Sequence, residues 1–200
     1  VIRSSGMGRV IQSKSDKFDE GDLVNGLVGW QTHLISDGKG FTKVPEILPI
    51  PTMINVLGLT GITAYYGLLD VGQPKEGDTV VVSGAAGATG SVVAQIAKIK
   101  GCNVIGIAGG EEKCAWLEEC GLDHVIDYKA TKATKEVGRI AKNGIDIYFD
   151  NVGGPLLEAV LFKINLNARI VICGAISNYA STDMPVGPRN LSSLIVNRAR

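Results

Sequence analysis

From Val81 to Cys114 the chain reads VVSGAAGATGSVVAQIAKIKGCNVIGIAGGEEKC. An apolar, β-branched run gives way to a turn of glycines and alanines, then to a helical pattern, then to a second apolar run. This order describes one strand–helix–strand unit, whose two strands lie parallel. The first run, DTVVVSG, is apolar on both faces, as a strand inside a parallel sheet must be. Ala88 to Lys100 reads as a helix with Val92, Val93, Ile96 and Ala97 on one face and Gly101 as its stop. The turn between them, Ala85-Ala86-Gly87-Ala88-Thr89-Gly90, is an AxGxxG pattern preceded by Gly84. Small residues there let the backbone approach a pyrophosphate. The helix start adds unpaired N–H groups and a partial positive charge.

The alternation continues downstream. NVIGIAG is a second strand, Glu111 to Cys120 a helix stopped by Gly121, and HVIDY a third strand. In TKATKEVGRIAKNG, Ala133, Val137, Ile140 and Ala141 recur at helical spacing. Then come the strand IDIYFDNVGG, a helix around PLLEAVLFKI and the strand ARIVICGAIS. Five strands with right-handed crossovers predict an α/β fold with a doubly wound parallel Rossmann sheet.

Upstream the rhythm differs. GRVIQS and GDLVNGLVGWQTHLI read as short strands joined by turns. VPEILPIP holds three of the seven prolines and marks a boundary, so residues 1–51 and 52–200 are expected to be separate domains. TMINVLGLTGITAYYGLLD follows as an apolar, helical stretch.

Composition excludes several classes. Twenty Lys and Arg balance twenty Asp and Glu, so nothing points to nucleic acid or an anionic membrane. No apolar run approaches the roughly 18 residues of a membrane span. The first residues, VIRSSGMGRV, lack a signal-peptide core. Four cysteines, at 102, 114, 120 and 173, do not form a disulfide framework and read as reduced thiols of a cytoplasmic protein. With His33 and His124 the only histidines, no set of three or four zinc ligands suggests itself, and no metal is expected. The chain starts at Val1 and stops at LIVNRAR, which reads as part of a longer protein.

The end of the second strand bears on which dinucleotide fits. An NAD site places an acid about 20 residues beyond the glycine turn, on the ribose 2′-hydroxyl. That place is Gly109, followed by Gly110, so no carboxylate repels a 2′-phosphate. Lys113, in the first turn of the next helix, is placed to meet one, with Glu111 and Glu112 pointing outward. NADP(H) is the expected cofactor. Asp150, Asn151 and Ser177 are polar groups directly after apolar runs, at the strand ends where such sheets bind ligands. Asp150 reads equally as a turn-maker for Gly153 and Gly154, and Asn178 as turn chemistry.

With GWQTHLISDGKG, GLTGITAYYGLL, AAGATGSVVAQIAKIKGC, GGEEKC, DYK, YFDNVGG and CGAISNY in view, the chain resembles the medium-chain dehydrogenase/reductase superfamily. It is most similar to the zinc-independent branch of prostaglandin reductases, alkenal/one oxidoreductases and curcumin reductases. The resemblance implies a partial GroES-like substrate domain before a Rossmann domain that lacks its last strand. It implies that Gly87, Ala88, Thr89 and Gly90 hold the pyrophosphate, and that Lys113 and Tyr128 meet the 2′-phosphate region. Asn151 and the run Cys173, Gly174, Ala175, Ile176, Ser177, Asn178 and Tyr179 would line the cofactor groove. Thr89 stands where Val is common and Asn178 where Thr is common. The implied function is metal-free, NADPH-dependent reduction of the C=C bond of α,β-unsaturated aldehydes and ketones by a homodimer. The donor to the carbonyl oxygen would be a hydroxyl such as Tyr179, the ribose 2′-hydroxyl or water, and the sequence does not choose between them. A quinone reductase and a non-catalytic NADPH-binding protein are the alternatives.

Overall fold

The computed structural model describes residues 4–46 and 49–200, so part of the proline-rich boundary lies outside the described residues. Contacts divide the chain into two compact units, Val1–Leu59 and Thr60–Arg200. The dividing point falls eight residues past Pro51, after a short helix.

In the first unit, β1 (Ser5–Arg9) pairs antiparallel with β2 (Leu23–Leu27), and β2 with the two-residue β3 (Thr42–Lys43). β1 starts three residues earlier than GRVIQS predicts, and Ile11 to Ser13 are not strand. Residues 28–35 are not strand either, and Trp30 and Ile35 are largely exposed. The reason is burial: within this unit only Leu23 and Val24 are buried among the described residues, so little apolar surface holds a longer ladder. α1 (Ile50–Ile54) follows, with a proline in its first turn.

α2 (Leu59–Tyr66) begins at the division and runs into a π-helical segment at Gly67–Gly72. The helical stretch expected here is therefore broken at residues 55–58. Leu68 is fully buried, and a side chain at Gly67 would meet the Phe149 ring at 2.9 Å, so the bare glycine lets this segment lie on the sheet.

From there strand and helix alternate as the sequence predicts. β4 (Thr79–Ser83), α3 (Ala88–Ile99), β5 (Asn103–Ala108), α4 (Glu111–Glu119), β6 (His124–Asp127) and α5 (Ala133–Ile140) form the first half. β7 (Ile145–Asp150), α6 (Gly154–Leu161), β8 (Ile164–Ile172) and α7 (Ser192–Val196) follow. The sheet is parallel, in the order β6-β5-β4-β7-β8. Strands are added outward on one side as far as β6, and the chain then crosses to the other side of β4. The strand order therefore reverses beside β4, and such sheets bind ligands at the strand ends of a reversal. The last residue runs along the outer edge of β8, where Arg200 N donates to Ala168 O (3.0 Å) and Ile170 N to Arg200 O (2.8 Å).

Both faces of the sheet are packed. Val80 and Val82 of β4 join Val92, Val93 and Ala97 of α3 on one face. Val81 joins Ile105, Val137 and Val160 on the other. All five residues of β4 are buried, which is why DTVVVSG shows no alternation. Burying each valine contributes about 1.5–3 kcal/mol, so the unit's core centres on the strand that carries the site.

Candidate functional site

The glycine turn is built by close backbone approach. A side chain at Gly90 would collide with the Gly84 carbonyl oxygen and lie 2.9 Å from Gly84 C and 3.0 Å from Ala85 Cα. Only a bare glycine lets α3 start this near to the end of β4. The positive φ of the turn falls on Gly84 (59°), one residue before the first position of the motif. Ala85 therefore needs no special backbone, and it is fully buried. Gly87 caps α3 without a side-chain hydrogen bond, and no acid sits in the first turn. The N–H groups of Ala88, Thr89 and Gly90, in the first turn of α3, have no carbonyl one turn earlier to bind. An anion is the partner such a helix start favours.

At the end of β5, Gly109 lies under the ring of Tyr128. A Cβ there would be 2.6 Å from two ring atoms and 2.8 Å from the hydroxyl. Gly110, at φ 98°, caps α4. Lys113 and Tyr128 are exposed, and Lys113 makes no ion pair among the described residues. Glu111 and Glu112 are exposed in the first turn of α4.

The end of β4 and the loop after β7 are tied together by one carboxylate. Asp150, fully buried, accepts on Oδ1 from Ser83 Oγ (2.9 Å), Tyr148 OH (2.8 Å), Val152 N (2.9 Å) and Gly153 N (2.9 Å). Asp150 is thus the turn-maker, and its side chain does not line the groove. Burial first, and the Asp150 carboxylate second, push the Tyr148 phenol well above its ordinary range. Asn151 N donates to Ser83 Oγ (2.8 Å) and Asn151 Nδ2 to Ser83 O (2.7 Å), so this amide is spent on the wall of the site.

The loop after β8 is docked on the loop after β7. Cys173 N and Gly174 N donate to Asp150 O, Ile176 N to Asn151 O, and Ser177 N to Val152 O. Ser177 Oγ also donates to Val152 O (2.6 Å). The Cys173 thiol is raised by burial, with the Asp150 charge adding to it. Asn178 serves the turn, its N–H donating to Ala175 O. Tyr179 is 71% exposed and its phenol oxygen accepts from Ala175 N (3.1 Å), which leaves the hydroxyl proton free to be donated.

The structure thus brings the glycine turn, Asn151 and the 173–179 loop to one end of the sheet, and places Tyr128 on Gly109 at the same end of the neighbouring strands. Ser83, Tyr148 and Asp127 carry roles that sequence reading did not single out. Each ends or nearly ends an apolar strand as a polar group, and that is the signal available in the sequence.

Among the described residues no three His, Cys, Asp or Glu side chains form a group able to hold a metal ion. His33 and His124 are exposed, and all four cysteines are free. The residues present therefore do not fit a zinc centre.

The family model described as zinc-binding dehydrogenase matches residues 88–199, and the N-terminal domain of oxidoreductase matches residues 1–44. The chain is 48% identical to mouse prostaglandin reductase 1, covering 91% of this chain and 57% of that protein. It is 44% identical to the NADPH-dependent curcumin reductase of Escherichia coli, covering 98% of this chain and 57% of that protein. The crystal structure of CurA from Vibrio vulnificus in complex with NADPH superposes with a TM-score of 0.89 at 44% identity, over 99% of this chain and 60% of that one. The chain thus spans somewhat more than half the length of the relatives it matches. It belongs to the zinc-binding dehydrogenase family.

Proposed function

We propose that this chain carries the cofactor site of an NADPH-dependent reductase acting on the C=C bond of α,β-unsaturated aldehydes and ketones. The observation that carries the reading is the contact between Gly90 and the Gly84 carbonyl, which fits α3 against β4 as a dinucleotide-binding turn requires. The glycine pair 109–110 in place of an acid supports the 2′-phosphorylated cofactor. The relatives named prostaglandin reductase and NADPH-dependent curcumin reductase support both the cofactor and the substrate class.

When bound, NADPH supplies the hydride that reaches the β-carbon of the enone, and a proton at the α-carbon completes the saturated carbonyl. The chain's own residues bind and orient. The amides of Ala88, Thr89 and Gly90 take the pyrophosphate, and Lys113 with Tyr128 takes the 2′-phosphate. The carboxylate of Asp150 fixes the loop after β7, on which the loop after β8 is docked by backbone hydrogen bonds, so the groove wall is preorganised before ligand arrives. Tyr179 offers a hydroxyl donor to charge that develops on the carbonyl oxygen.

The first unit is, on the same reading, part of a GroES-like substrate domain, and the second a Rossmann domain short of its last strand. The protein is read as a cytoplasmic homodimer. Among the described residues no helix is long and apolar enough to cross a membrane. The test is a panel of enals, enones, quinones and saturated alcohols, with NADPH oxidation or NADP reduction followed by absorbance. Enones and enals should turn over fastest. Faster alcohol oxidation or quinone reduction would displace the reading.

A further inference from the structure

The acid at the end of β6 has an unexpected position. Asp127 pairs with Ala108 across the β5–β6 ladder, so its carboxylate stands beside Gly109 and Gly110, where a 2′-phosphate is to be accepted. A free carboxylate there would repel that group. This one is engaged: Oδ1 accepts from Gly110 N at 3.0 Å and from Lys129 N at 2.8 Å. The Asp127 carbonyl accepts from Thr131 N and Thr131 Oγ1, both at 2.9 Å, and Tyr128 N donates to Ala108 O at 3.0 Å. One side chain therefore bolts the turn that starts α4 to the turn that carries Tyr128. Between the two bolted segments the Tyr128 ring closes on Gly109, with no room for a Cβ.

We propose that Asp127 is a positioning residue for cofactor selectivity, holding Tyr128 and the start of α4, with Lys113 on it, in the arrangement that accepts a 2′-phosphate. This rests on the NADPH reading above. The two N–H groups, Gly110 first, hold the Asp127 carboxyl below the usual carboxylate range, as expected of an acceptor already satisfied. Without that acceptor the Gly110 and Lys129 amides lose their partner, and the side-chain link between the start of α4 and the Tyr128 turn is gone, leaving the turn held by Tyr128 N on Ala108 O. The pyrophosphate contacts, at the start of α3, do not depend on it.

The experiment measures binding of 2′,5′-ADP and of 5′-AMP to the protein by titration calorimetry, which requires no substrate. Wild type should prefer 2′,5′-ADP, and Lys113→Ala should lose most of that preference. Asp127→Ala should weaken 2′,5′-ADP by about tenfold and 5′-AMP by less than about threefold. Asp127→Asn keeps an acceptor oxygen in place and should bind 2′,5′-ADP no more than about threefold weaker than wild type. Equal weakening of both ligands in Asp127→Ala would reduce Asp127 to a structural part and overturn the proposal. Unchanged binding in Asp127→Ala, or a loss in Asp127→Asn as large as in Asp127→Ala, would overturn it too. Equal wild-type affinity for the two ligands, untouched by Lys113→Ala, would overturn the NADPH reading itself and the proposal with it.

Discussion

The Ser83 hydroxyl donates to Asp150 Oδ1 across 2.9 Å, joining the ends of two neighbouring strands whose residues stand 67 positions apart. Three more donors converge on the same oxygen, and Oδ2 is buried without a partner among the described residues. The carboxylate thus acts as a single acceptor that sets the start of the glycine turn and the groove wall together.

Removing that acceptor should be expensive. Asp150→Ala strands four donors in the interior, and an unmet buried donor costs about 1–3 kcal/mol, so a loss of at least about 3 kcal/mol is expected. Tyr148→Phe removes one donor and leaves the other three on Oδ1, for about 1 kcal/mol. Asp150→Asn keeps an oxygen for all four and should lie nearer Tyr148→Phe than Asp150→Ala. Urea denaturation measures all three. A similar loss for Asn and Ala would mean that charge, not acceptance, holds the cluster.

Gly90→Ala should damage both fold and binding. The new methyl meets backbone rather than a movable side chain, so α3 must retreat from β4. Overpacking of this kind costs about 1–3 kcal/mol, and a misplaced helix start should weaken NADPH by at least about tenfold. Thermal unfolding with and without NADPH reads both effects. Wild-type stability together with wild-type stabilisation by NADPH would show that the close approach is not required.

Cys102 should give the folded state a pH signature. Burial, with the Asp78 charge behind it, raises its thiol from the ordinary 9.0 to about 11. As pH rises, the unfolded chain releases this proton first and the folded protein holds it, so unfolding is favoured. The contribution is whole below about pH 9 and is lost as pH climbs through about 11. Serine does not titrate in this window. The stability advantage of wild type over Cys102→Ser, from denaturant titrations at pH 8 and pH 10.5, should therefore shrink at the higher pH. An advantage that is constant or grows would contradict the raised thiol.

Much of the second unit is legible in the sequence because its signals are local. The unbroken apolar run of β4, the small residues of the turn and the helical spacing of Val92, Val93, Ile96 and Ala97 lie within one short stretch. The spacing even marks the side of α3 that packs on the core, since Val92, Val93 and Ala97 are buried there and Ile96 partly. What escapes is what depends on distant partners. The Ser83–Asp150 bond spans two strands, and Asp127 declares itself only once β6 lies beside β5. The first unit is misread for a different reason: with only Leu23 and Val24 buried among its described residues, its apolar pattern does not report where its strands begin.

The proposed reaction is hydride transfer from NADPH to the β-carbon of an enone at this site. It is tested most directly with NADPH deuterated at the transferable position of the nicotinamide, a simple α,β-unsaturated ketone and the protein, before and after exhaustive chelation. Deuterium at the β-carbon of a saturated ketone, at a rate unchanged by chelation, is the predicted result. Deuterium on the carbonyl carbon of an alcohol, or activity lost on chelation and restored by zinc, would contradict it.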